Sequence, residues 1–193
     1  MMRTPSRALG VVCAALVAVA CGKGAAEQAL AAASAAVEQA RPEVEKYVPG
    51  EFKQLSDGLG ATKASFDKGD YKRALALAQA LLPKVQVAAE GARKKRDELL
   101  ASFDQLKASL PAKVDALKSR LTKLAAAPNL PSDLDQETVA TAQANLATVT
   151  TNWTDALVKF DSGDVIAAVT KANDVKTKVE EMARVFLPAP AGK

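Results

Sequence analysis

The stretch "FDKGDY", residues 66–71, returns as "FDSGDV", residues 160–165, at an offset of 94 positions in a chain of 193 residues. In each copy an apolar seam ends at the phenylalanine and a second begins just past the last aspartate. Gly69 and Gly163 suit the left-handed backbone that closes a helix. Asp70 and Asp164 suit the N-cap of the helix that follows, accepting its free amides. Phe66 and Phe160 are expected to pack beneath the turn. The carboxylates of Asp67, Asp70, Asp161 and Asp164 could also be weighed as metal ligands. Calcium asks for roughly six to eight oxygens from a longer loop, and each copy offers two carboxylates. The pattern therefore reads as a structural turn used twice, with no metal and no catalytic residue assigned to it.

The offset carries beyond the motif. Leu55 aligns with Val149, Leu59 with Trp153, Ala78 with Ala172, Lys84 with Lys178, Val85 with Val179 and Ala89 with Ala183. The shared register of apolar positions about a shared turn reads as an internal duplication.

Spacings of three and four define helices on either side. A first runs over 25–47 on Leu30, Ala33, Val37, Ala40 and Val44, with Pro42 expected to kink or shorten it. Pro49 suits the first turn of a second helix, which buries Phe52, Leu55, Leu59 and Phe66. A third starts at Asp70 and meets no convincing stop before Ala126. Its seam lapses in "EGARKKRDE", 90–98, and resumes through Leu99, Phe103, Leu106, Leu110, Val114, Leu117, Leu121 and Leu124 with coiled-coil-like gaps. The two gaps of four about Pro111 read as a stutter. "APNLPSDLD", 127–135, is a breaker and cap. A fourth helix carries Val139, Leu146, Val149, Trp153, Leu157 and Phe160. A fifth starts at Asp164 and carries Val165, Ala168, Ala172, Val175, Val179, Met182 and Phe186. The expected fold is all-α: an elongated antiparallel bundle of two three-helix units sharing one long central helix. The expected boundaries are 25–91 for the first unit and 92–186 for the second, with 90–98 exposed between them and 187–193 a disordered Pro-rich tail. The alternative is one compact bundle, the long helix bending back at Pro83 or Gly91.

Composition narrows the chemistry. Apolar residues make up 49% but aromatics only 4%, so alanine supplies helix propensity and close approach rather than buried area. There is no histidine, which excludes Ser-His-Asp and Cys-His catalysis and the commonest metal ligand. Both cysteines, Cys13 and Cys21, fall in the first 21 residues. No nucleophile, base and orienting group assemble from the residues present, so no enzyme activity and no cofactor are expected. Setting aside Arg3 and Arg7 leaves 24 basic against 22 acidic residues, and a mixed, near-neutral surface gives no case for nucleic-acid binding.

The N-terminus, "MMRTPSRALGVVCAALVAVACGKG", has the layout of a secretory signal: basic Arg3 and Arg7, an apolar run over 8–19, then small residues before Cys21. The run is shorter than the roughly 18 residues a bilayer crossing needs. Ala18-Val19-Ala20-Cys21 resembles a bacterial lipobox, with Ala18 in place of the usual leucine; Ala18-Val19-Ala20 also fits plain A-x-A cleavage at the same bond. The lipobox resemblance implies a signal peptide over 1–20, a lipidated anchor and short linker over 21–24, and acyl chains on Cys21 as the membrane partner. Several chains on one residue anchor stably where one does not. Gly22 in place of aspartate implies the outer membrane, facing the periplasm.

Residues 27–92 are similar to an alanine-rich helical domain of unknown function found in envelope lipoproteins, on the strength of "YVPGEF", 47–52, and "GDYKRALALAQA", 69–80. That resemblance implies an envelope setting and no activity. "KGDYKRALALA" also resembles the second helix of a tetratricopeptide repeat, although an offset of 94 is far from that repeat's period of about 34 residues.

Three further features have two readings each. Arg93, Lys94, Lys95 and Arg96 point around most of a helix, which favours a solvated segment over an anion-binding patch. Trp153 falls on a buried seam, as core rather than ligand platform. Lys193 matches the terminal lysine through which some envelope lipoproteins join peptidoglycan. The expectation as a whole is a non-enzymatic, membrane-anchored envelope lipoprotein serving as helical spacer, scaffold or partner-binding module, with an envelope protein as partner. The alternatives are a periplasmic ligand-binding or tetratricopeptide-like peptide-binding protein, and a lipoprotein tethered to peptidoglycan through Lys193.

Overall fold

The computed structural model describes residues 22–132 and 134–187. Every regular element among them is a helix: α1 (Gly22–Tyr47), α2 (Pro49–Asp67), α3 (Tyr71–Ala125), α4 (Gln136–Asp161) and α5 (Val165–Phe186). The protein is all-α, as its periodicity predicts, and α3 alone provides about 80 Å of helix. Helix α1 begins at Gly22, so residues 22–24, expected as linker, are its first turn. The signal and lipidation readings at 1–21, including Cys21, and the tail at 188–193, including Lys193, lie outside the described residues.

Chain reversal between α1 and α2 takes one residue. Val48 N–H still donates to Val44 (2.9 Å) and Val48 C=O already accepts from Phe52 (3.2 Å), while Pro49 follows at the first helical position, where its missing N–H costs nothing. The Arg41 guanidinium lies 4.9 Å from the centre of the Phe52 ring, so the two helices run antiparallel from this tip.

Pro42 was expected to kink or shorten its helix, Pro111 to mark a stutter and Pro83 to be a bend point in the compact alternative; α1 and α3 run as helix through all three positions. Each proline is exposed, and so is the residue four before it, Glu38, Gln79 or Lys107. The carbonyls that lose an N–H partner thus lie on the wet side of the helix, where water can replace the lost bond.

The described chain divides into two compact units, 22–39 with 54–85, and 40–53 with 86–187. The first is built from α1, α2 and the start of α3 on a core of small side chains. Ala26, Ala33, Val37, Leu55, Leu59, Ala74, Ala78, Leu81 and Val85 are buried there, together with Thr62. Thr62 enters this core because its hydroxyl donates to the Gly58 carbonyl (2.8 Å) on its own helix, leaving no unsatisfied donor. Leu81 lies 3.0 Å from where a Cβ on Gly58 would stand, so glycine there permits the close approach.

The second unit packs the rest of α3 against α4 and α5. Phe103, Leu106, Leu110, Leu117, Leu121 and Leu124 face Val139, Ala142, Leu146, Val149 and Ala156 of α4. They also face the seam of α5 from Val165 to Phe186. All seven apolar positions expected on α5 are buried, and Val169 joins them. On α4 the expected Trp153, Leu157 and Phe160 are only partly buried, and the fully covered positions are Val149 and, unanticipated, Ala156.

Residues 40–53, read from sequence as part of the first unit, group with the second. The stretch 90–98, expected to lie exposed, is therefore partly covered. Ala92 is fully buried, a Cβ on Gly91 would stand 3.4 Å from the Glu51 carboxylate, and Arg96 is ion-paired to Glu43.

Burial repeats at the offset of 94. Phe52, Leu55, Thr62, Ala74, Ala78, Leu81, Val85, Ala88 and Ala92 are buried, and so are Leu146, Val149, Ala156, Ala168, Ala172, Val175, Val179, Met182 and Phe186. Most of these pairs differ in residue type, so the repeat is one of helical register more than of identity.

Candidate functional site

The two turns match bond for bond. In the first, Lys68 N–H donates to Ala64, Gly69 N–H to Phe66 (2.9 Å), Asp70 N–H to Ser65 (3.0 Å) and Ala74 N–H to Asp70 (2.9 Å). In the second, Ser162 donates to Val158, Gly163 to Phe160 (2.9 Å), Asp164 to Lys159 (2.9 Å) and Ala168 to Asp164 (2.9 Å). Gly69 has φ +79° and Gly163 +81°. This is a left-handed glycine cap whose last residue doubles as the N-cap of the next helix. Asp70 Oδ1 accepts from Arg73 N–H (3.2 Å) and Asp164 Oδ1 from Ala167 N–H (3.4 Å). Each carboxylate thus serves its helix. Asp67, Asp70, Asp161 and Asp164 are all exposed, and among the described residues no group of three or more acidic, histidine or cysteine side chains gathers as a metal site. Replacing Asp70 or Asp164 by alanine is expected to lower stability by about 1 kcal/mol each, the usual scale of a lost N-cap. Urea titrations followed by circular dichroism measure this, and an unchanged midpoint in both variants would contradict the capping role.

Beneath the turns the copies differ. Phe66 meets Tyr71 edge-on at 5.2 Å. Phe160 instead stacks on Phe103 of α3 at 4.2 Å with rings nearly parallel, and Trp153 stacks on the same ring at 5.9 Å. Trp153 is thus part of an aromatic stack and is partly buried against the core of the second unit.

Of the basic run, Arg93 and Arg96 turn to one carboxylate, Glu43. Arg96 Nη1 lies 2.5 Å from its Oε1 and Arg93 Nε 3.9 Å from its Oε2. Arg96 also donates to Asp97 through Nε and Nη2 (3.2 Å each), while Lys94 and Lys95 stay exposed. The run is divided by helical periodicity and forms no single anion patch.

Two carboxyls have shifted affinity for protons. Hydrogen bonds from Thr138 hold the Asp135 carboxyl below the usual carboxylate range at the N-cap of α4. A hydrogen bond and the positive charge of Lys171 do the same for Asp155. Both favour the fold at neutral pH and cease to do so as the pH falls through their lowered pKa.

Sequence reasoning missed several contacts that position these elements. Lys46 donates to the Gly163 carbonyl (3.1 Å), joining the α1–α2 tip to the second turn. Arg120 Nε donates to the Phe186 carbonyl (3.2 Å), closing the C-terminal end of α5. Only the spacing of Arg93 and Arg96, three apart and so on one face, signalled any of this beforehand. No helix among the described residues is long and apolar enough to cross a membrane. No family model, no curated protein and no solved structure matches this chain.

Proposed function

We propose that the chain is a non-enzymatic lipoprotein of the bacterial envelope, anchored by acyl chains on Cys21 in the outer membrane and facing the periplasm. Its helical body serves as spacer, scaffold or partner-binding module for another envelope protein. The observation that carries this reading is "AVAC", 18–21, behind a short apolar run and a basic start. The described body supports it indirectly. Most carboxylates of the described residues are exposed, and those with bonds described above cap helices or pair with lysine and arginine. Its cores are built from apolar side chains, with Thr62 satisfied by its own helix.

Labelling with radioactive palmitate in a diderm bacterial host tests the anchor. The parent is expected to incorporate label, to accumulate as a precursor under globomycin, and to fractionate with outer membrane. Cys21→Ser is expected to lose the label. Label retained in that variant, or none in the parent, would refute the anchor.

A further inference from the structure

Between α3 and α4 the second unit carries an open groove of about 440 Å³, within the roughly 300–1,000 Å³ of small-molecule sites. Its floor is apolar, formed by the buried Leu121 and Leu146. Its walls look polar in sequence but offer few donors. Thr122, Thr150 and Thr151 give their hydroxyl protons to Lys118, Leu146 and Ala147 carbonyls of their own helices (2.8, 2.9 and 3.2 Å). What they leave to the groove is methyl surface and oxygen lone pairs. The donors remaining are the Lys118 ammonium on one wall and the Gln143 amide on the other.

Charge selects the occupant. No carboxylate lines this groove, whereas of three grooves that involve α5 one carries Asp135 and Glu137 with no lysine, and two set Asp174 and Glu181, or Glu181, against lysines. A single cation at the rim of an apolar trough is complementary to a molecule with an anionic head and a hydrocarbon tail. We propose that the groove binds a single-chain anionic amphiphile, a free fatty carboxylate. Its alkyl chain lies along Ala147 and the methyl groups of Thr122, Thr150 and Thr151, above Leu121 and Leu146, and its carboxylate accepts a charge-assisted bond from Lys118. This goes beyond the anchoring role proposed above, since it assigns the body a ligand.

The test uses the full chain carrying Cys21→Ser, so that its outcome does not depend on lipidation. Calorimetric titration with dodecanoate below its micelle concentration is expected to show saturable binding to one site. Lys118→Glu is expected to weaken it by about tenfold or more, the scale of a lost hydrogen bond to a charged group. Ala147→Trp, which fills the groove from an exposed position, is expected to abolish it, with both variants keeping the parent's circular dichroism. Absence of dodecanoate binding, equal affinity for dodecyltrimethylammonium, or unchanged affinity in both variants would overturn the proposal. So would Lys118-dependent binding to phosphatidylglycerol vesicles without any to dodecanoate, which would give the surface to bilayer lipid.

Discussion

Phe103→Ala is expected to destabilise the second unit by about 3–5 kcal/mol, the range for truncating a buried phenylalanine. Phe103 is 0% exposed. Its ring stands between Phe160, 4.2 Å away, and Trp153, 5.9 Å away, and such stacks add about 0.5–1.5 kcal/mol beyond area. The stack joins α3 to α4, and Phe160 also opens the turn into α5, so the cavity would touch all three helices of that core. Trp153 is the sole tryptophan, which makes its fluorescence a reporter of this unit separate from the helical signal of the whole chain. With a urea slope of about 1–3 kcal/mol/M, the fluorescence-detected midpoint should fall by more than about 1 M. Val87→Ala, at a position 67% exposed, should stay within about 0.5 kcal/mol of the parent. A Phe103→Ala loss as small as that of Val87→Ala would show that the stack contributes little.

That stack also shows what kind of information sequence carries. Phe103 was legible as core because it lies on a heptad-like seam, and α5 was legible at every buried position but Val169 because apolar residues recur at three and four. That periodicity, the two glycine–aspartate turns, Pro49 and the breaker at 127–135 together place five helices. Partner choice is different. Nothing local says that Phe103 meets Phe160 and Trp153, that Glu43 takes both Arg93 and Arg96, or that Lys46 reaches Gly163 across 117 positions. Such contacts depend on which tip lands beside which turn, a tertiary outcome. The prolines were only half legible for a related reason. Their cost depends on whether the orphaned carbonyl faces water, and the burial pattern settles that, not the proline itself. The groove between α3 and α4 was illegible too, since its threonines look hydrophilic until their protons are traced to their own helices.

The second large effect is expected at the turn glycines. An L-residue held in the left-handed region costs about 1–3 kcal/mol, and a β-branched side chain lies toward the upper end because it adapts least. Gly69 and Gly163 have nearly the same φ, +79° and +81°, and a Cβ at either meets no atom within 4 Å. Gly69→Val and Gly163→Val should therefore carry the same backbone strain, with no clash at the Cβ. Only the second copy bears a further bond, from Lys46 to the Gly163 carbonyl; among the described residues no side chain donates to Gly69. If relief of strain moves that carbonyl, Gly163→Val should cost more by about 0.5–1.5 kcal/mol, the net value of one hydrogen bond. A double-mutant cycle separates the terms. In a Lys46→Met background the excess at Gly163 should vanish while the strain common to both glycines remains. Midpoints equal to the parent's for both valine variants would mean that the turns relax out of the left-handed region at no cost. In that case the repeated glycine would not be what fixes the helix ends.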